Sequence, residues 1–185
     1  MVPITALWLP ILLSAVAVFV VSSLSHMVLK LHAKDWVKLP NEDATLEHIR
    51  TAPIPPGQYM FPNCGSHKDM DSPEMKAKFE KGPIGHMTIL PPGGISIGRS
   101  LLQWFLLALA VSAGTGYVAG IGLPASARGV DVFRATATVA LLAHGAASVT
   151  DAIWKGVRWG VAAKFLVDAV LYALATGAVF AWLWS

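Results

Sequence analysis

The chain has 185 residues, of which 55% are hydrophobic and 14% are charged, and its formal net charge is +3 at pH 7. Soluble domains average about 45–50% apolar and about 25% charged residues, so this composition excludes an ordinary soluble domain. Lysines and arginines are interleaved with acidic residues, which excludes a basic run of the kind that binds nucleic acid. The single cysteine, Cys64, excludes an intramolecular disulfide bond.

The apolar residues are clustered in blocks of membrane-spanning length, which is roughly 20 residues for a helix. Four such blocks are found at about residues 4–24, 100–123, 130–154 and 159–184. The last two blocks contain charged residues, each of which costs about 2.5–3.5 kcal/mol at a helix centre and less near a helix end. The sequence therefore predicts an all-α membrane protein with four transmembrane helices.

These blocks divide the chain into a first transmembrane helix (1–25), a polar loop region (26–98) and a three-helix transmembrane bundle (99–185). The first block is open to a second interpretation, as a cleaved signal peptide. No lysine or arginine precedes Lys30, however, and the apolar run is long for a signal peptide. We therefore expect this block to be a retained membrane anchor.

The polar loop contains capping signals for two short helices. Asn41 is placed to cap a helix over Glu42–Arg50. Ser72 is placed to cap a second helix, with Pro73 at its first position and Gly82 as its stop signal. This pattern predicts ordered structure that rests on the membrane face or on a partner.

Two further segments of the loop are predicted to be extended. Gln58–Phe61 follows a Pro-Pro-Gly turn, and His86–Leu90 precedes another. Such turns stop regular structure, so we expect short extended segments at these places.

The distribution of basic residues near the helix ends predicts the orientation. One face of the predicted bundle carries Lys30, Lys34, Lys38, Lys81, Arg99, Lys155 and Arg158, whereas the other carries only Arg128 and Arg134. Because cytoplasmic loops carry the excess of lysine and arginine, residues 26–98 are expected in the cytoplasm and both termini outside.

The loop also holds a candidate metal site. Cys64, His67 and Met70 follow one another at three-residue intervals, and soft and imidazole ligands of this kind suit copper. A second histidine is missing from the pattern, so a polar turn is the simpler interpretation. His26 and His32 are six residues apart, on different faces of a regular helix, and are interpreted as ordinary interfacial histidines.

The main constellation of polar residues lies in the last two predicted helices. His144, Ser148 and Asp151 share one stripe at helical spacing, while Lys164 and Asp168 are four residues apart. A short turn would make the two helices antiparallel neighbours, and His144 would then approach Asp168, with Lys164 bound to Asp168, Asp151 or a headgroup. The two interpretations are structural pairing of the helices and a role in binding a proton or a ligand.

The second predicted helix contains Gly116 and Gly120, a small-x3-small pattern that is typical of close helix packing.

The loop carries four short motifs: KLPNED at 38–43, PPG-x-YM at 55–60, Gly82-Pro83, and PPG at 91–93. With these motifs the chain resembles a group of small, uncharacterised bacterial multi-pass membrane proteins. The resemblance implies a bacterial inner membrane and brings no activity or cofactor with it.

The functional hypothesis that follows is an accessory or structural subunit of a membrane assembly, in contact with the lipid bilayer and with a membrane-protein partner or a second copy of the chain. The alternative is a small transporter or proton-conducting protein that uses His144, Asp168 and Lys164. A membrane-embedded enzyme ranks third because the sequence contains no recognised catalytic, nucleotide-binding or paired metal motif. The sequence identifies no cofactor and no nucleic-acid partner.

Overall fold

A computed structural model of the protein describes residues 1–184, apart from the side chain of His67. Within these residues four helices are long and apolar enough to cross a membrane. They are Ile4–Val28, Ile97–Gly122, Gly129–Lys155 and Trp159–Leu183. The predicted all-α fold with four transmembrane helices is therefore confirmed, and the chain has the character of a multi-pass membrane protein. The first span runs four residues further than predicted, and the second begins three residues earlier.

The first span is not one regular helix. A 3-10 turn at Ile4–Leu7 leads into the α-helix Trp8–Ser23, called α1, and a π turn at Leu24–Val28 ends the span. Pro10 lies in the first turn of α1, where a backbone amide has no partner within the helix. The π turn brings Ser25 to Asp168 of the last span.

The other helices are α2 (Glu42–Thr51), α3 (His67–Met70), α4 (Pro73–Lys81), α5 (Ile97–Gly122), α6 (Gly129–Lys155) and α7 (Trp159–Leu183). By contacts the chain divides into two compact units. The first, called the bundle unit, comprises Met1–Trp36, Ile95–Ala152 and the residues from Val157 onward; the second, called the loop unit, comprises Val37–Gly94 and Ile153–Gly156.

The loop unit contains both predicted extended segments, now as strands β1 (Gly57–Phe61) and β2 (Gly85–Ile89). They pair in antiparallel register, from Gly57 opposite Ile89 to Phe61 opposite Gly85. Pairing joins segments more than twenty residues apart in sequence, which the turn motifs alone did not predict.

The two predicted helices of the loop also form, but only one of them is capped as expected. The hydroxyl of Ser72 accepts a hydrogen bond from the Met75 amide at 3.2 Å, as predicted. The side chain of Asn41 makes no capping hydrogen bond with α2, because this residue adopts a left-handed conformation with φ of 52°. Asn41 therefore occupies the N-cap position as predicted and α2 begins at the expected residue, but the side-chain capping hydrogen bond does not form.

In the bundle unit, the first span packs against α5 and α7. One buried cluster of side chains comprises Val2, Leu7, Ile11, Val132 and Phe180, and a second comprises Ala15, Val18, Ala108 and Tyr172. The α6 and α7 helices meet where the glycines of one face larger side chains of the other: Gly145 faces Leu166 and Ala169, and Gly177 faces Phe133 and Ala137.

The backbones of Val2 and Gly120 lie close together in the bundle unit. The Val2 amide donates a hydrogen bond to the Gly120 carbonyl at 2.9 Å. A β-carbon on Gly120 would lie 2.5 Å from the Val2 carbonyl oxygen, and one on Gly116 would meet Ile11 and Phe180. The small-x3-small pattern thus lies at a packed interface.

Candidate functional site

The candidate site begins at the irregular end of the first span. In the π turn Leu24–Val28, the amide of Leu29 donates to the carbonyl five residues earlier, at 2.9 Å. Lys30 then takes a left-handed conformation with φ of 52°. A π turn and a left-handed residue both break the 3.6-residue helical period. As a result His26 and His32 lie side by side, with ring centroids 4.3 Å apart.

Asp168 is the buried centre of the site. It lies about 14 Å along α7 from the first residue of that helix, at 1.5 Å per residue, and its side chain is 1% exposed. Its Oδ1 atom accepts a hydrogen bond from the Ser25 hydroxyl at 2.6 Å. Its Oδ2 atom lies 2.8 Å from Nε2 of His32 and 4.0 Å from Nε2 of His26.

The His32 ring lies between two carboxylates. Its Nδ1 atom is 2.6 Å from Oδ2 of Asp35, and its Nε2 atom is 2.8 Å from Oδ2 of Asp168. Each contact must contain a hydrogen, because an imidazole lone pair and a carboxylate oxygen would repel each other at these distances. The ring is therefore oriented at both nitrogens.

Asp35 is in turn held by the other end of the site. The ammonium group of Lys164 donates to Oδ1 of Asp35 at 2.5 Å, and this hydrogen bond is the main reason that the pKa of Asp35 lies below its ordinary value of 3.8. The hydrogen bond from His32 acts in the same direction. Arg158 donates to the backbone carbonyls of Lys34 and Asp35, at 3.4 and 3.2 Å, which fixes the backbone of this segment.

His26 completes the arrangement. Its Nδ1 atom donates to the backbone carbonyl of Ser22 at 3.1 Å, and its ring is nearly parallel to that of His32, with an interplanar angle of 10°. Phe165 packs on the His32 ring at 4.5 Å. The group of interacting side chains is called the polar cluster below, and it comprises Ser25, His26, His32, Asp35, Lys164 and Asp168.

Two cavities adjoin the polar cluster. The first has a volume of about 650 Å³, and its lining includes His26, Trp104, His144, Phe165, Asp168 and Tyr172. The second has a volume of about 680 Å³, and its lining includes His26, His32, Asp35, Ser148, Asp151 and Phe165. His26 and Phe165 line both cavities, so the polar cluster borders on each of them.

Comparison with known proteins adds no assignment to this site. No family model, curated protein or solved structure matches the chain.

The structure gives Asp168 and Lys164 partners from the first span and the segment after it. Asp168 bonds to Ser25 and His32, and Lys164 bonds to Asp35. His144 lines the same cavity as Asp168, but its ring packs against Trp104 and Tyr172. The partners came from the first span because its irregular end reaches α7, which a hairpin of α6 and α7 considered alone does not include.

Ser148 and Asp151 line the second cavity beside the polar cluster, whereas Cys64 belongs to the loop unit. Ser148 donates its hydroxyl hydrogen to the Gly145 carbonyl at 2.8 Å, and Asp151 lines the second cavity. Cys64 is a half-buried free thiol in the loop unit. The side chain of His67 lies outside the described part of the chain, so the Cys64, His67 and Met70 metal site stays a prediction.

Sequence reasoning missed His26, His32 and Asp35 as members of the site. The rejection of the two histidines assumed that the helix continues regularly beyond Val28. A signal was available, since ionisable groups within a membrane span, such as Asp168 and Lys164, need partners of opposite charge or hydrogen-bonding capacity. The segment after the first span is the place where imidazole and carboxylate groups are concentrated at the same bundle end.

Proposed function

We propose that the protein is an accessory or structural subunit of a membrane assembly. The observation that supports this function is the mutual pairing within the polar cluster. Lys164 bonds to Asp35, and His32 bridges Asp35 and Asp168. Charges that satisfy one another require no transported ion for their stability.

The position of the pairs indicates what they hold together. Ser25 and His32 belong to the first span and the segment after it, whereas Asp168 and Lys164 belong to α7. In an apolar environment these groups have few alternative partners, so the contacts fix the end of the first span against α7. A rigid bundle with lipid-facing apolar helices is the scaffold that an accessory subunit needs.

The cellular setting is part of the proposal. The excess of lysine and arginine near one set of helix ends supports a cytoplasmic location for residues 26–98. The loop motifs support a bacterial inner membrane. The partner is a membrane protein or a second copy of this chain, in contact with the four spans or with the loop unit.

The test compares one broken pair with complete removal of the polar cluster. Asp168→Ala should lower the free energy of unfolding by about 3–5 kcal/mol, since it leaves a buried imidazole without its partner. Replacing all charged members together by apolar residues of similar size should be close to neutral, because buried ion pairs contribute little net stability. Unfolding in mixed detergent micelles measures both. Asp131→Asn, in an exposed pair with Arg128, is the matched control and should have little effect.

Assembly is then measured on the same variants by cross-linking in intact membranes. We expect a defined cross-linked species that persists in the apolar replacement. A chain that remains a monomer under all cross-linking conditions contradicts the proposal, and loss of assembly in the apolar replacement despite normal folding contradicts a purely structural role for the polar cluster.

A second candidate function is transport of a small cation, favoured by one observation. The two cavities share His26 and Phe165 as lining residues, so a rearrangement of these side chains would join them. Reconstituted vesicles containing the unaltered protein should then show a cation flux above that of protein-free vesicles, and the flux should be lost in the apolar replacement. Equal flux in both vesicle types excludes this function.

A further inference from the structure

We propose that His26, His32 and Asp168 form a binding site for a divalent transition metal ion of the Zn²⁺ class. The candidate ligand atoms of these three residues all lie within 4.8 Å of one another. Nε2 of His32 and Nε2 of His26 are 2.8 and 4.0 Å from the same carboxylate oxygen. Zinc bonds of about 2.0–2.2 Å place tetrahedral ligands about 3.3 Å apart, so shifts of about 1 Å would complete the site.

The two histidines are oriented as metal ligands usually are. His32 directs Nδ1 to the Asp35 carboxylate at 2.6 Å, and His26 directs Nδ1 to the Ser22 carbonyl at 3.1 Å. Metal-binding histidines almost always donate their other ring N–H to a carboxylate or a backbone carbonyl, which fixes the tautomer and exposes the lone pair to the metal. Both kinds of partner are present here, and both free nitrogens face Asp168.

The carboxylate is oriented in the same way. Oδ1 of Asp168 accepts the hydrogen bond from Ser25 at 2.6 Å, which leaves Oδ2 directed at the two imidazoles. A cation bound there would take the place of the hydrogen that His32 and Asp168 share. Each of the three proposed ligands therefore has its remote polar atom fixed by a separate partner from the chain.

Binding requires one change in the site. A metal ion lies close to the plane of each imidazole that binds it, whereas the rings of His26 and His32 are nearly parallel and 4.3 Å apart. One ring must turn, and His26 is the freer of the two, with 38% of its side chain exposed against 10% for His32. We therefore expect His26 to rotate when the metal binds.

The ligand set determines the class of metal. Two imidazoles and one carboxylate suit Zn²⁺ and neighbouring transition metals, whereas Mg²⁺ and Ca²⁺ prefer oxygen ligands throughout. Three protein ligands leave a fourth position of a tetrahedral site for water or another molecule. Asp168 lines the first cavity and His32 the second, so that position has space beside it. This site goes beyond the structural role of the polar cluster and does not depend on any assembly.

The test is titration of the full-length protein with Co²⁺ and with Zn²⁺. The protein is purified in mild detergent through a tag without histidine and is treated with a chelator. We expect one Co²⁺ per chain, with the visible absorption of a low-symmetry site, displaced by one equivalent of Zn²⁺. Zn²⁺ should shift the nitrogen resonances of His26 and His32 and leave those of His48 unchanged.

The variants separate this site from other binding. Loss of stoichiometric binding is expected in His26→Gln, which leaves the His32–Asp168 contact intact and should fold normally. Asp35→Asn removes the carboxylate that orients His32 and pairs with Lys164, but none of the three ligands, and we expect it to weaken binding by about 10–100-fold. His48→Gln, on the exposed surface of α2, and Cys64→Ser are controls that should bind as the unaltered protein does.

Three results would overturn the proposal. They are a chain that binds no stoichiometric Co²⁺, binding that is unchanged in His26→Gln, and binding that is lost in Cys64→Ser. The last result would assign the metal to the loop unit. None of these results bears on the cross-linking that tests the proposed subunit function.

Discussion

At the scale of single residues, burial determines how much a charged contact matters. The His32–Asp168 contact is almost fully buried, whereas the Lys78–Glu74 contact on α4 lies in solvent, with both side chains more than half exposed. Removing one partner from a buried pair leaves an unsatisfied group, while an exposed group is solvated by water instead. The exposed pair therefore changes a titration without holding the fold together.

The effect of the exposed pair can be measured in the titration of the Glu74 carboxyl group. Lys78 donates to Glu74 at 2.8 Å, and this hydrogen bond holds the pKa of Glu74 below its ordinary value of 4.5. Lys78→Met should raise the pKa toward 4.5, as measured by carboxyl ¹³C NMR. Any contribution of the pair to the stability of α4 is present at neutral pH and is lost as the pH falls through the lowered pKa.

The control for this measurement is Lys76→Met, because Lys76 bonds to Asp71 rather than to Glu74. It should leave the titration of Glu74 nearly unchanged. An identical Glu74 titration in Lys78→Met and in the unaltered protein would disprove the assigned cause.

At the scale of elements, contacts at the two ends of the first span determine how it packs against α5 and α7. At its start, Val2 approaches α5 so closely that only a glycine at position 120 leaves room. At its end, the π turn Leu24–Val28 brings Ser25 and His26 to α7. Both contacts depend on backbone geometry, and both lie at helix ends, where regular packing stops.

Gly120→Ala tests the first of these contacts. Its β-carbon would lie 2.5 Å from the Val2 carbonyl oxygen, a backbone atom that cannot move aside alone. We expect a loss of about 1–3 kcal/mol in the free energy of unfolding, in the range typical of overpacked cores. Gly114→Ala is the matched control, since it lies in the same helix with open space around it. Equal stability of the two variants would show that the start of the first span does not pack on α5.

At the scale of the whole molecule, the chain combines a bundle unit with a loop unit of mixed helix and strand. Most of the loop unit, Val37–Gly94, lies between the first span and α5 in the sequence, and the rest is Ile153–Gly156 at the end of α6. We expect residues 37–94 and the α5–α6 connection on opposite sides of the membrane, because the candidate span Ile97–Gly122 separates them in the chain.

Cysteine labelling in intact cells tests which side that is. Cys64 in the loop unit should be protected from an impermeant thiol reagent and react after permeabilisation, because the lysine and arginine distribution favours the cytoplasm for residues 26–98. Ser126→Cys, placed in the α5–α6 connection of a Cys64→Ser chain, should show the opposite behaviour. Labelling of Cys64 in intact cells would reverse the predicted topology.

The sequence alone was sufficient wherever a signal is local. Four apolar blocks predicted four spans, since burying a polar backbone in lipid leaves a long helix as the available structure for such runs. Ser72, Pro73 and Gly82 bounded α4 correctly, because capping is decided within a few residues. Asn41 makes no side-chain capping bond, and its backbone is left-handed rather than in the extended conformation that is typical of a capping residue.

The polar cluster was decided only by the tertiary structure. The sequence identified Asp168 and Lys164 as ionisable groups within a span that need partners, but it could not identify those partners, because His32 and Asp35 are more than 120 residues away along the chain. Their approach depends on a π turn and a left-handed Lys30, neither of which has a composition signature of its own. Local propensities thus determined which segments are helices, while the packing of the first span on α7 determined which polar groups meet.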